Sequence, residues 1–200
     1  MHTLDAIMSR RAIRQYDASF RMPAADVERL FQHLLQAPTS FNLQHCRFVQ
    51  VDDPQLRAAL RAAAWDQPQI TDASLLLVLC ADTQAWQNDP GHCWRDAPAD
   101  TRDLMLSMIH GFYAGKPQLQ RDEAIRSVGI AAQTAMLAAS AMGYDSCPMI
   151  GFDAERVAEL IQLPEDHLVG MVLTIGKGNK DAHPRPGQRS LDTVRILNRF

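Results

Sequence analysis

The sequence predicts a mixed α+β fold in a single domain, and three observations lead there. The run Ser74–Cys80 is apolar without interruption after its opening serine, as a strand covered on both faces must be. A long segment, Asp122–Met142, is rich in Ala, Ile and Leu and almost uncharged after Arg126, the pattern of a buried helix. Between and around them strand-like and helix-like segments interleave, which is the order of an α+β architecture. Two hundred residues suit one domain spanning 1–200, on the usual size of about 100–200 residues per domain.

In chain order, Leu4, Ile7 and Met8 have helical spacing and predict a short helix from Thr3 to about Ser9. A second helix begins near Pro23, where proline is tolerated, and carries Val27, Leu30, Phe31, Leu34 and Leu35 before ending ahead of Pro38. Residues 37–44 have turn chemistry, dense in side chains that bond their own backbone. Arg47–Asp52 alternates and reads as a strand. Asp53-Pro54 opens a helix that runs to Trp65, and Ser74–Cys80 is the central strand. From Thr83 to Pro117 no period is clear, so this stretch reads as an excursion holding one or two helices. Gly143 caps the long helix. Tyr144–Phe152 is a strand and turn, Asp153–Leu163 a short amphipathic helix, and Leu168–Ile175 the last core strand. Residues 176–187 hold Gly and Pro and belong to no regular element, after which Leu191–Phe200 resumes an apolar pattern. No internal repeat or low-complexity tract is present.

The composition, 46% hydrophobic and 22% charged, supports a packed core and excludes general disorder. A net charge of −3 gives no global pull toward nucleic acid or acidic membranes. No apolar run approaches the ~18 residues of a membrane span, and the N-terminus is broken by charges unlike a signal peptide. The four cysteines, Cys46, Cys80, Cys93 and Cys147, lack metal-site or disulfide spacing and are expected to be reduced in a cytoplasmic protein. The seven histidines form no HxH or HxxxH pair, so no metal site is expected. GxGxxG, GxxxxGK[ST] and GxSxG motifs are absent, which removes the dinucleotide, P-loop and nucleophile-elbow classes.

Several segments could carry chemistry. Arg10, Arg11 and Arg14 place three guanidinium forks beside a helix end, and such forks match phosphate oxygens bidentately. Arg185 and Arg189, with Lys177 and Lys180 upstream, form a second basic element that could converge on the same phosphate. Taken alone, each is a solvated charged face. The loop Pro38, Thr39, Ser40, Phe41, Asn42, Leu43, Gln44 offers hydroxyls and amides suited to a polar heteroaromatic ring but no acid or base; His45 adjoins it. In Pro148-Met149-Ile150-Gly151, the glycine permits close backbone approach to a flat ligand.

The order of these segments carries a resemblance. SRRAIRQYD, then APTSFNLQHCRFV, then a buried helix running into GYDSCPMIGFD, resemble the nitroreductase family over nearly the whole chain. There the first motif commonly reads RRSxRxF and the second PSSxNxQPWxF; here Ala12 replaces Ser, and His45-Cys46 replaces Pro-Trp. Many relatives place Glu where this chain has Ile150.

The resemblance implies a nitroreductase-like fold, with a central mixed, mostly antiparallel sheet flanked by helices. It implies a homodimer whose C-terminal extension, 176–200, wraps the partner subunit and adds a strand to its sheet. FMN would lie at the interface. Arg10, Arg11, Ala12 and Arg14 would hold its phosphate and ribityl chain, with Arg185 and Arg189 completing the phosphate site. Pro38, Thr39, Ser40 and Asn42 would reach the flavin of the other subunit. Gln67 and Gln69 would serve its pyrimidine edge or ribityl chain, and Pro148, Met149, Ile150 and Gly151 would flank the ring.

The implied reaction is ping-pong: NAD(P)H gives a hydride to flavin N5, and a small electrophile such as a nitroaromatic, quinone or enone takes the reducing equivalents. The hard chemistry is the cofactor's, so no catalytic side chain is assigned. Phe112 and Tyr113, with Trp86 and Trp94, are the candidate acceptor-site aromatics. The alternatives are a non-catalytic flavin-binding or regulatory dimer and, against the net charge, a nucleic-acid binder using the Arg10–Arg14 cluster.

Overall fold

The computed structural model describes residues 2–200 and is built around a four-stranded sheet. Its strands are β1 (Cys46–Gln50), β2 (Leu75–Asp82), β3 (Asp145–Met149) and β4 (His167–Gly176), in the spatial order β1-β2-β4-β3. Every neighbouring pair is antiparallel. Among the described residues, parallel pairing is confined to an isolated bridge between Ala12 and Ser146.

Alternation along β2 explains its unbroken apolar run. Leu75, Leu77, Leu79 and Ala81 enter one core cluster, while Leu76, Val78 and Cys80 enter another on the opposite face. The first face is covered by α2 (Ala24–Leu34) and α6 (Pro117–Ala141). The second is covered by α3 (Pro54–Ala63), the single turn α4 (Gln69–Asp72) and α7 (Ala154–Leu160). Asp53 and Asp153 cap α3 and α7 by accepting from the amides of Gln55 and Arg156 at 3.0 Å each.

The central helix α6 lies close to β4 because position 170 has no side chain. A Cβ there would stand 2.8 Å from Val128 Cγ1 and 3.3 Å from the Leu79 carbonyl oxygen. The helix is longer than its apolar run predicts and opens at Pro117. It is not buried all round in the single chain: Gly129, Ile130 and Gln133 form an exposed stripe opposite Ala131, Ala132 and Ala135.

The excursion resolves into a 3₁₀ turn at Pro90–Trp94 and one long helix, α5 (Ala99–Tyr113). These pack a small satellite core of Leu43, Ala85, Ile109 and Tyr113 beneath the loop that precedes β1. Two elements have few internal partners. Helix α1 (Thr3–Ser9) buries only Ala6 and leaves Leu4, Ile7 and Met8 exposed. The chain beyond Asn179 is almost wholly exposed and holds one helical turn, α8 (Leu191–Val194).

Candidate functional site

The basic cluster lies on an extended segment stitched to the β3 edge. Ile13 N donates to Ser146 O at 3.0 Å, Asp17 N donates to Lys177 O at 2.8 Å, and Asn179 N donates to Gln15 O at 3.2 Å. Tyr16 anchors the segment, its ring 3% exposed and its hydroxyl bonded at Thr174. These ties bring the two ends of the chain together. Arg10, Arg11, Ala12, Arg14 and Arg185 all line one cavity of about 610 Å³. The Arg185 guanidinium donates to the carbonyls of Met8 at 3.3 Å and Arg10 at 3.2 Å.

The arginines have different duties. Arg11 turns back and donates to the carbonyls of Met8, Ser9 and Arg10, at 2.8, 3.1 and 3.1 Å, so it caps the C-terminal end of α1. Arg10 has a buried Nη1 with no hydrogen-bond partner. Burial first, then the neighbouring Arg185 and Arg11 charges, lower its pKa. Arg14 reaches the Cys147 thiol, whose pKa burial raises against the pull of Arg14 and Arg10. Arg189 lies on the exposed tail, outside the residues lining the groove.

The glutamines form one chain of bonds with the turn after β3. Gln69 is buried and donates its amide to Gln67 Oε1 at 3.0 Å, and Gln67 Nε2 donates to Gly151 O at 2.9 Å. Met149 points its side chain into the core, so it can offer a ligand only backbone, whereas Ile150 stands 78% exposed. Trp65, which the sequence marks only as the end of a helix, packs its ring against Gly151: a Cβ at 151 would stand 2.7 Å from Trp65 Cζ3.

The loop of Pro38, Thr39, Ser40 and Asn42 lies elsewhere. It leads into β1, at the sheet edge opposite β3, three inter-strand steps of about 4.8 Å away. Phe41, Asn42 and Gln44 have φ of 51, 56 and 50°, and the excursion holds them there. Asn42 Nδ2 donates to Cys93 O at 2.9 Å, Trp94 Nε1 donates to Phe41 O at 2.9 Å, and Gln44 N donates to Thr39 Oγ1 at 2.9 Å. Phe112 is half-exposed against Phe41, with ring centroids 5.5 Å apart. Tyr113 is fully buried beneath both rings, so it braces this wall and presents no face to a ligand.

Two polar clusters lie apart from this groove, and the second was not marked in the sequence. His45 is buried, shares a 3.2 Å hydrogen bond with Ser127 and has its pKa lowered to about 4 by desolvation. It is therefore a neutral core residue. The antiparallel register places Asp82 opposite His167, and with Asp166 these three could surround a cation. Asp82 is already satisfied, accepting from Arg47 Nη2 at 2.9 Å and from Gln84 N at 2.9 Å, while Asp166 bonds His167 Nδ1 at 2.7 Å.

Comparison with known proteins identifies the family of this fold. The nitroreductase family model matches residues 7–177. Protein DrgA of Synechocystis sp. is 51% identical over 189 residues, covering 94% of this chain and 89% of its own. An NADH dehydrogenase of Thermus thermophilus is 30% identical, covering 90% of this chain and 88% of its own. A protein of Exiguobacterium sibiricum crystallised in complex with FMN superposes with a TM-score of 0.91 at 24% identity, covering 98% of this chain and 97% of that one. The chain belongs to the nitroreductase family.

Proposed function

We propose that this chain is an FMN-dependent NAD(P)H oxidoreductase that reduces small electrophiles, working as a homodimer in the cytoplasm. The observation that carries the reading is the convergence of Arg10, Arg14 and Arg185 on one groove, with a buried Arg10 donor left unpartnered. A buried donor without a partner costs about 1–3 kcal/mol, so a dianionic phosphate there relieves a penalty as well as forming bonds. FMN supplies that phosphate, and when bound it supplies two-electron chemistry between NAD(P)H and the acceptor.

The protein's own part is binding and orientation. Arg10, Arg14 and Arg185 hold the phosphate. The bonds from Gln69 to Gln67 and from Gln67 to Gly151 fix the turn that flanks the ring. Pro148 and Met149 border the ring through their backbone, and Gly151 keeps that turn slim. Thr39, Ser40 and Asn42 cannot serve the same groove within one chain, because they lie at the other sheet edge; in a dimer they serve the partner's. Exposed Leu4, Ile7 and Met8 on α1, Leu104 and Met108 on α5, Ile130 on α6 and Leu191, Val194, Leu197 and Phe200 on the tail provide the apolar surface for that dimer. In this reading the 176–200 extension lies over the partner, and Arg189 approaches a phosphate only there. All four cysteines are free, and no described helix is long and apolar enough to cross a membrane, which suits the cytoplasmic reading.

The test is the visible spectrum of the purified protein. It is expected to show bound flavin that NADH or NADPH bleaches without oxygen and that a quinone or nitroaromatic restores. Protein that takes up no FMN, or holds it without reduction by either nucleotide, would overturn the reading.

A further inference from the structure

Trp65 is an expensive residue to place where it stands. It follows Ala64, the C-cap of α3, with φ of 53°, and Asp66 follows with φ of 55°. A left-handed residue after a helix is ordinary when it is Gly or Asn, but a Cβ-bearing aromatic is strained there. The turn is held in place by several bonds: Asp66 N donates to Arg61 O at 3.0 Å, Gln67 N donates to Ala64 O at 3.2 Å, and Arg61 Nε pairs with Asp66 at 2.7 Å. For all this support the indole is not buried. It is 74% exposed and touches the fold at Gly151, where only a glycine leaves room for it. Ile150, the preceding residue, is 78% exposed. Strain maintained to hold a large apolar side chain in solvent marks a functional position rather than a packing one.

The place matters as much as the strain. Trp65 leans on the turn that the Gln69–Gln67–Gly151 chain positions, and the proposed flavin lies along that turn. We infer that Trp65 is the specificity-determining residue of the acceptor site: its ring is a ledge on which flat, electron-poor aromatic acceptors, naphthoquinones and nitroarenes, stack beside the flavin. This rests on the function proposed above. It favours planar aromatic acceptors over compact ones, because an indole face rewards flat π-surfaces and offers little to a small polar anion.

The holoenzymes Trp65→Leu and Trp65→Phe test it, with rates normalised to bound FMN. Leucine retains apolar bulk without a ring; phenylalanine retains a ring. The quantity compared is kcat/KM for 1,4-naphthoquinone relative to that for ferricyanide. It is expected to fall about tenfold in Trp65→Leu, mainly through KM, and to stay within about threefold of wild type in Trp65→Phe. The Kd of oxidised enzyme for 2-naphthoate, a flat anion that cannot be reduced, read from flavin absorbance, is expected to follow the same order. An unchanged ratio in Trp65→Leu, or equal losses in both variants, would overturn the inference. A wild-type protein that binds no FMN or is not reduced by NAD(P)H defeats the underlying function instead, and that is seen before any variant is compared.

Discussion

Burial holds the His45 imidazole near a pKa of about 4, against 6.5 for the free side chain. Above about pH 6.5 the ring is neutral whether the chain is folded or not. Between 6.5 and 4 the unfolded chain takes up a proton that the folded chain refuses, so stability is lost as pH falls through that window. The slope from this group approaches about 1.4 kcal/mol per pH unit. Urea unfolding at pH 7 and pH 5 is expected to show that loss in the wild type and a smaller one in His45→Gln; equal losses would remove His45 as the cause. The arginines separate in the same way. Arg10→Ala and Arg14→Ala are expected to purify with little flavin, whereas Arg11→Ala retains its yellow colour and loses about 0.5–1 kcal/mol of stability, because Arg11 caps α1. The sequence showed that this cluster is basic and where it falls, and it pointed to phosphate. It could not show which guanidinium turns back onto a helix, since that depends on the path of the backbone after Ser9.

Elements with strong local signals were readable in advance. The unbroken apolar run of β2, the helix opened by Asp53-Pro54, the short helix after Asp153 and the Gly143 stop all reappear in the structure. The start of α6 was not legible, because its first turns, Pro117 to Asp122, are polar and lie beyond the apolar run. The placement of Trp65 was hidden too: its ring packs against Gly151, eighty-six positions later in the sequence. One packing prediction belongs at this scale. Gly170→Ala would push a methyl against Val128 and the Leu79 carbonyl, costing about 1–3 kcal/mol, and Val128→Ala in the same chain is expected to recover part of it. A chemical-denaturation cycle over the four proteins measures this; full additivity of the two losses would contradict the close approach.

At the scale of the molecule, the sheet has the arginine groove at the β3 edge and the strained loop of Phe41, Asn42 and Gln44 at the β1 edge. One chain therefore carries the two halves of the proposed site apart, and exposed apolar surface on α1, α5, α6 and the tail gives a reason for a second copy. Removing residues 188–200 is expected to weaken the proposed dimer at least tenfold in sedimentation equilibrium while leaving the far-ultraviolet spectrum of the sheet and helices in place; self-association undiminished by the truncation would contradict a role for the tail in it. The exposure of that surface was not readable from residues alone, because Leu4, Ile7 and Met8 have the spacing of any amphipathic helix and nothing local says whether the chain itself covers them. Beneath all of it lies the claim that arginines from both chain ends hold a phosphate. The most direct measurement compares the affinity of the apoprotein for FMN and for riboflavin, which lacks that phosphate, by calorimetry in the wild type and in Arg10→Ala. A preference for FMN of a hundredfold or more, about 2.7 kcal/mol, that shrinks at least tenfold in the variant is the predicted result. Equal affinity for the two flavins, or a preference that Arg10→Ala leaves intact, would contradict it.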